Sequence, residues 1–161
     1  MHATKRPMTK HDIDAYLARP NIVRSFAELV ARLTAVHQIK PYPKIKLTDR
    51  EAGTVQLSLA GPKARHPGSM NITDGQPYGA NAWYGRISPD GHFTPSPQCV
   101  GPVARLLIMF ARDPAAVAKA HGELTGNCCF CSRTLTNAGS IEVGYGPICA
   151  ERYDLPHPTN A

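Results

Sequence analysis

The segment that leaves this chain least freedom is G-N-C-C-F-C-S-R-T-L-T-N-A-G-S-I-E-V-G-Y-G-P-I-C, residues 126–149, which carries four of the five cysteines. A C-x-x-C turn curls the backbone around one point and sets two thiolates on the same metal. Cys128 and Cys131 therefore form the pair, and Cys129 between them points away. Thr134 and Leu135, a turn at Asn137–Gly139, and Ile141 with Val143 read as a short hairpin. Gly146-Pro147 then opens a helix over I-C-A-E-R-Y, which puts Cys149 near a helix N-terminus, where a thiolate is favoured.

Knuckle, hairpin and helix together describe a treble-clef-like or zinc-ribbon-like finger holding Zn2+ through Cys128, Cys131 and Cys149. A usual structural site has four protein ligands. The customary fourth position, three residues after Cys149, is Arg152, which cannot ligate. His121 at the end of the preceding helix is the first substitute, ahead of His157, Asp154, Cys129 or a water. Iron-sulfur ligation fits this ligand set less well.

The rest of the chain is long enough to bury a core without help from a metal. At 42% hydrophobic and 19% charged residues it is globular in composition, and no apolar run reaches membrane-spanning length. The N-terminal M-H-A-T-K-R-P-M lacks the apolar centre of an export signal, so the expected location is the cytoplasm. An odd number of clustered cysteines there suits metal binding better than disulfides. Cys99, isolated from the cluster, reads as a small packed residue.

Three stretches are distinguished. Residues 1–43 form a basic helical segment: Thr9 caps a short helix that Pro20 stops. Asn21 then caps a longer one whose apolar residues, Ile22, Val23, Phe26, Leu29, Val30, Leu33 and Val36, recur at helical steps. Residues 44–122 form an α+β core. Period-two alternation at Ile45, Leu47, Val55, Leu57 and Leu59, then strands around S-M-N-I-T, N-A-W-Y-G-R-I-S and H-F-T-P, give a small antiparallel sheet. A helical pair follows, opening at Gly101-Pro102 and Asp113-Pro114 and ending at Gly122. Residues 123–155 are the finger. The fold class expected is α+β: a helical N-terminal part, a small antiparallel sheet, a helical pair and the finger.

The net charge of +6 is one-sided: residues 1–50 hold ten Lys and Arg against four acidic residues, and the remainder balances at eight of each. An excess of this kind suits a phosphate-bearing partner. Lys40, Lys44 and Lys46 cluster around Tyr42. Trp83 and Tyr84 fall on opposite faces of one strand, so one ring is left for base stacking near Arg86, Lys63 and Arg65. Arg133 and Arg152 flank the cysteines.

The pattern G-x-C-x-x-C-x-R-x-L-T-x-x-x-S-x-x-x-G-x-G-P-x-C, met in full from Gly126 to Cys149, resembles a small uncharacterised domain family of bacterial and bacteriophage proteins. A looser likeness extends back through R-D-P-A-A-V-A-K-A-H-G-E-L-T-G. The resemblance implies zinc binding and a link to DNA transactions. It also sets His121 where relatives often carry an aromatic residue.

The function expected is that of a non-enzymatic zinc-binding accessory protein whose partner is nucleic acid, met through Lys40, Lys44, Lys46, Arg86 and Arg133. The rival is a phage-type interaction module that binds a host protein through the 22–36 helix or the sheet. A zinc hydrolase or nuclease has least support, because no H-E-x-x-H set accompanies the cysteines; it would need a carboxylate such as Glu123 or Glu142 facing the metal.

Overall fold

The computed structural model describes residues 9–160. Helix α1 (Lys10–Leu17) starts at a capping box in which Thr9 and Asp12 exchange side-chain to backbone hydrogen bonds. Helix α2 (Pro20–His37) follows after two residues. It starts two residues earlier than the sequence suggests: Pro20 does not only stop α1 but is the first residue of α2, and Arg19 rather than Asn21 is its cap. The apolar stripe of α2 packs into the core through Ile22, Phe26, Leu29, Val30, Leu33 and Val36, all buried, while Val23 is only half-buried.

Five strands then form an antiparallel meander in chain order, β1 (Lys44–Asp49), β2 (Gly53–Leu59), β3 (Met70–Thr73), β4 (Trp83–Ile87) and β5 (Phe93–Pro95). Each strand alternates as an amphipathic sheet requires, except at the start of β4, where the register shifts. Ile45, Leu47, Val55, Leu57, Met70, Ile72, Ile87 and Phe93 face the core, and the intervening residues are polar and at least partly exposed. One face is thus packed and the other is open to solvent.

Helices α3 (Gly101–Arg112) and α4 (Pro114–Thr125) form the pair expected, but α4 does not stop at Gly122. Its left-handed C-cap is Gly126. Gly122 lies inside the helix because it is a crossing point: a Cβ there would sit 2.8 Å from the Cα of Gly144.

The hairpin expected in the finger is not formed. A single antiparallel bridge joins Asn127 to Thr134. Ile141 and Val143 lie instead in a short helix, α5 (Ala138–Val143), where Asn137 accepts a hydrogen bond from the N–H of Ser140 at 2.8 Å. Asparagine is a good helix cap as well as a turn former, and the capped helix prevails. Helix α6 (Pro147–Arg152) completes the finger as expected. The result is an α+β fold with a C-terminal cysteine cluster consistent with a zinc-ribbon-like finger.

The buried residues run as one cluster from Ile13 to Tyr153 and include Cys128, Cys129, Phe130, Tyr145 and Cys149. The finger is joined to the sheet edge by a hydrogen bond from the N–H of Lys46 to the carbonyl of Cys129, at 2.9 Å. Phe130 stacks on Tyr153 at 4.2 Å between centroids and meets Phe110 and Tyr145, so its ring ties knuckle, α3 and α6 together. No helix among the described residues is long and apolar enough to cross a membrane.

Candidate functional site

The knuckle and α6 bring the sulfurs of Cys128, Cys131 and Cys149 within 4.8 Å of one another. A tetrahedral zinc with Zn–S bonds of about 2.3 Å spaces its sulfurs at about 3.8 Å, so the trio fits such an ion with little adjustment. The local chemistry prepares a ligand. Cys149 donates its S–H to Cys128, and the backbone N–H groups of Gly146, Phe130 and Cys131 point at the same sulfur; together they outweigh burial and bring the Cys128 thiol down to about 5. The donor role of Cys149 pushes its own thiol up. A metal replaces the shared proton and needs both as thiolates.

Cys129 lies outside this group and is fully buried, and desolvation holds its thiol well above the usual value. Cys99 is likewise a packed thiol, pushed up to about 11 by burial.

The structure does not bring His121 to the cysteines. Its Nδ1 accepts the backbone N–H of Thr48 at 2.9 Å, which makes it a buried link from α4 to β1. The other substitutes are also engaged elsewhere. Asp154 is exposed and lies 3.5 Å from Arg32. His157 is buried, with Nδ1 accepting from the N–H of Thr159 and Nε2 3.1 Å from the hydroxyl of Ser140. Among the described residues the group of potential metal ligands consists of the three cysteines alone.

The five cationic residues singled out in the sequence divide into two places. Lys40 and Arg133 line a cleft beside the three cysteines, and Arg152 joins them there. No carboxylate lines this cleft; Glu123 and Glu142 are exposed elsewhere on the finger and its approach.

Lys44, Lys46 and Arg86 belong instead to the open face of the sheet. The register sets them in two cross-strand rows. Lys44, Ser58, Asn71, Arg86 and Thr94 form one; Lys46, Gln56, Thr73 and Trp83 form the other. The lysine ends of both rows, together with Trp83 and the fully exposed Tyr78 of the β3–β4 loop, line a shallow groove. No acidic residue lines it. Arg86, which continues the Lys44 row on the same face, lies beyond its wall, and Lys63 and Arg65 are not in it either. Tyr42 also stays apart: its N–H donates to Nδ1 of His37 at 2.8 Å, and the two rings meet edge to face at 4.9 Å.

Trp83 reaches the open face through a feature that simple alternation does not supply. Gly85 and Ile87 are buried on the core side, so strict period two would turn Trp83 inward with them. The register shifts between Ile72 and Thr73: Ile72 opposes Gly85 while Thr73 opposes Trp83, leaving Tyr84 as the extra residue of a bulge. Trp83 is thereby 39% exposed, and Tyr84 packs against the core. A glycine inside a strand was the available signal for this bulge.

No curated protein and no solved structure matches the chain. Residues 118–154, from within α4 to just beyond α6, match a family model described as a family of unknown function, DUF6011. The match takes in the three cysteines, Arg133, Ser140 and Arg152 and leaves the sheet outside it, so the likeness to that family is a likeness of the finger.

Proposed function

We propose that this is a non-enzymatic nucleic-acid-binding accessory protein of the cytoplasm, in which zinc on Cys128, Cys131 and Cys149 shapes the finger and the open sheet face receives a single strand. One observation carries the reading: two lysine-headed rows and an outward tryptophan share a groove without any acidic residue. Lysines neutralise phosphates, and aromatic faces stack on bases of any sequence. From β1 to β4 the rows span three strand spacings, about 14 Å at about 4.8 Å each. Sheet surfaces of that width stack two or three bases in known single-strand binders. The resemblance of the cysteine signature to bacterial and bacteriophage proteins is the ground for a setting in DNA transactions.

Fluorescence anisotropy of labelled oligonucleotides against salt tests it. Single-stranded binding should weaken with a log–log slope of about −2 for three phosphates neutralised by Lys44, Lys46 and Arg86. Each of K44E and K46E should flatten that slope and lower affinity at low salt, whatever the base sequence. Absence of single-strand binding at low salt, or unchanged binding by the double variant, refutes the reading.

A further inference from the structure

The cleft beside the cysteines has the wrong charge for a closed structural site. Three thiolates and a divalent ion leave one negative charge, yet Lys40, Arg133 and Arg152 all line this wall, and none of them forms an ion pair among the described residues. With the metal bound, the cleft is still net positive. Its volume, about 270 Å³, is several times the roughly 30 Å³ share of one water in the liquid.

A second group points the same way. Ser140 lines the cleft and is only 2% exposed. Its hydroxyl oxygen lies 3.1 Å from Nε2 of His157. Because Nδ1 of that ring accepts the Thr159 N–H, the neutral tautomer carries its proton on Nε2 and donates it to Ser140. The imidazole is therefore not a base toward this serine. Its role is to fill an acceptor site of the hydroxyl, which leaves the serine's own proton for donation.

We infer that the fourth coordination position of the metal is an exchangeable one that takes an oxyanion, a phosphate group foremost, held by Arg133, Arg152 and Lys40 and by the Ser140 hydroxyl. Planar guanidinium groups recognise phosphate oxygens with paired N–H donors, and a fourth position without a protein ligand accepts exogenous oxygen. The inference rests on the metal centre of the proposed function and is independent of the sheet face. Its ligand is either a small phosphate-bearing molecule or a backbone phosphate of nucleic acid.

The test uses the full chain loaded with Co2+, whose ligand-field absorption reports its donors. Inorganic phosphate should change those bands saturably, while chloride at matched ionic strength should not. R133A should weaken the phosphate response about tenfold, the loss expected for one charge-assisted hydrogen bond, with R152A similar and S140A weaker but measurable. If a single-stranded oligonucleotide produces the same change, the backbone is the source; if only inorganic phosphate does, a small molecule is. A spectrum of four protein donors, indifferent to phosphate, overturns the inference and leaves the metal centre standing, as does a phosphate response unaltered in R133A/R152A. Failure to take up cobalt overturns both.

Discussion

Gly85→Ala tests the link between backbone geometry and the proposed binding surface. Gly85 has φ of +135°, a region that residues with a side chain rarely occupy, and such strain costs about 1–3 kcal/mol. The added Cβ would stand 2.4 Å from the carbonyl oxygen of Thr94, 2.9 Å from the Cα of Pro95 and 2.8 Å from the ring of Phe93. Two of these are backbone atoms of the neighbouring strand. The third belongs to a ring held edge to face against Phe26 in the core, 5.9 Å between centroids. Overpacking of this kind adds about 1–3 kcal/mol. The expected loss is about 2–6 kcal/mol, which for a chain of this length lowers Tm by about 4–24 °C. Thermal and urea unfolding followed by far-UV circular dichroism measure it. Emission from Trp83, the only tryptophan in the chain, reports separately whether that ring keeps its exposed setting. A variant within about 0.5 kcal/mol of the parent, the range of an ordinary surface substitution, with unchanged emission, would refute the account of the bulge.

Two further outcomes are expected. The purified chain should carry about one zinc, lost in C131S, and free zinc at 100 times its Kd should stabilise the metal-free protein by about 2.7 kcal/mol in denaturant titrations; a metal content unaffected by C131S would count against the cysteine site. His121 is buried neutral, and desolvation lowers its pKa below the ordinary 6.5. Its folded pKa lies under its unfolded one, so its contribution is present above pH about 6.5 and is lost as pH falls through the folded value, by at most about 1.4 kcal/mol per pH unit. H121Q should flatten that segment of the stability profile between pH 7 and the folded value; an identical acid slope in H121Q would refute the assignment.

Much of the architecture was legible because its signals are local. Period-two alternation at Ile45, Leu47, Val55 and Leu57 marks strands whatever surrounds them, and Thr9 with Asp12 specifies a helix start within four residues. The knuckle is equally local, since C-x-x-C sets its own geometry. Asn137 was less decisive, because the same side chain begins turns and helices; the segment from Ala138 to Val143 becomes a helix in a finger where Gly144 crosses α4 so closely that a Cβ on it would stand 2.5 Å from the carbonyl oxygen of Ala118 and the Cα of Lys119. Gly122 misled for a related reason: a glycine near a helix end looks like a stop, and only the neighbouring chain reveals a crossing.

The sequence by itself determined the element types outside the finger's 134–143 segment, the three cysteines able to hold a metal as a set, and the excess of positive charge, since each depends on residues close together along the chain. Tertiary structure decided how that charge is shared out. It turned Trp83 outward through a bulge that pairing with β3 and β5 maintains, placed Lys44 and Lys46 across the sheet from Trp83 and Arg86, and set Lys40 beside Arg133 and Arg152 at the three cysteines. It also committed His121 to Thr48 instead of a metal. These placements depend on which backbone groups meet across long separations, and no local pattern encodes that meeting.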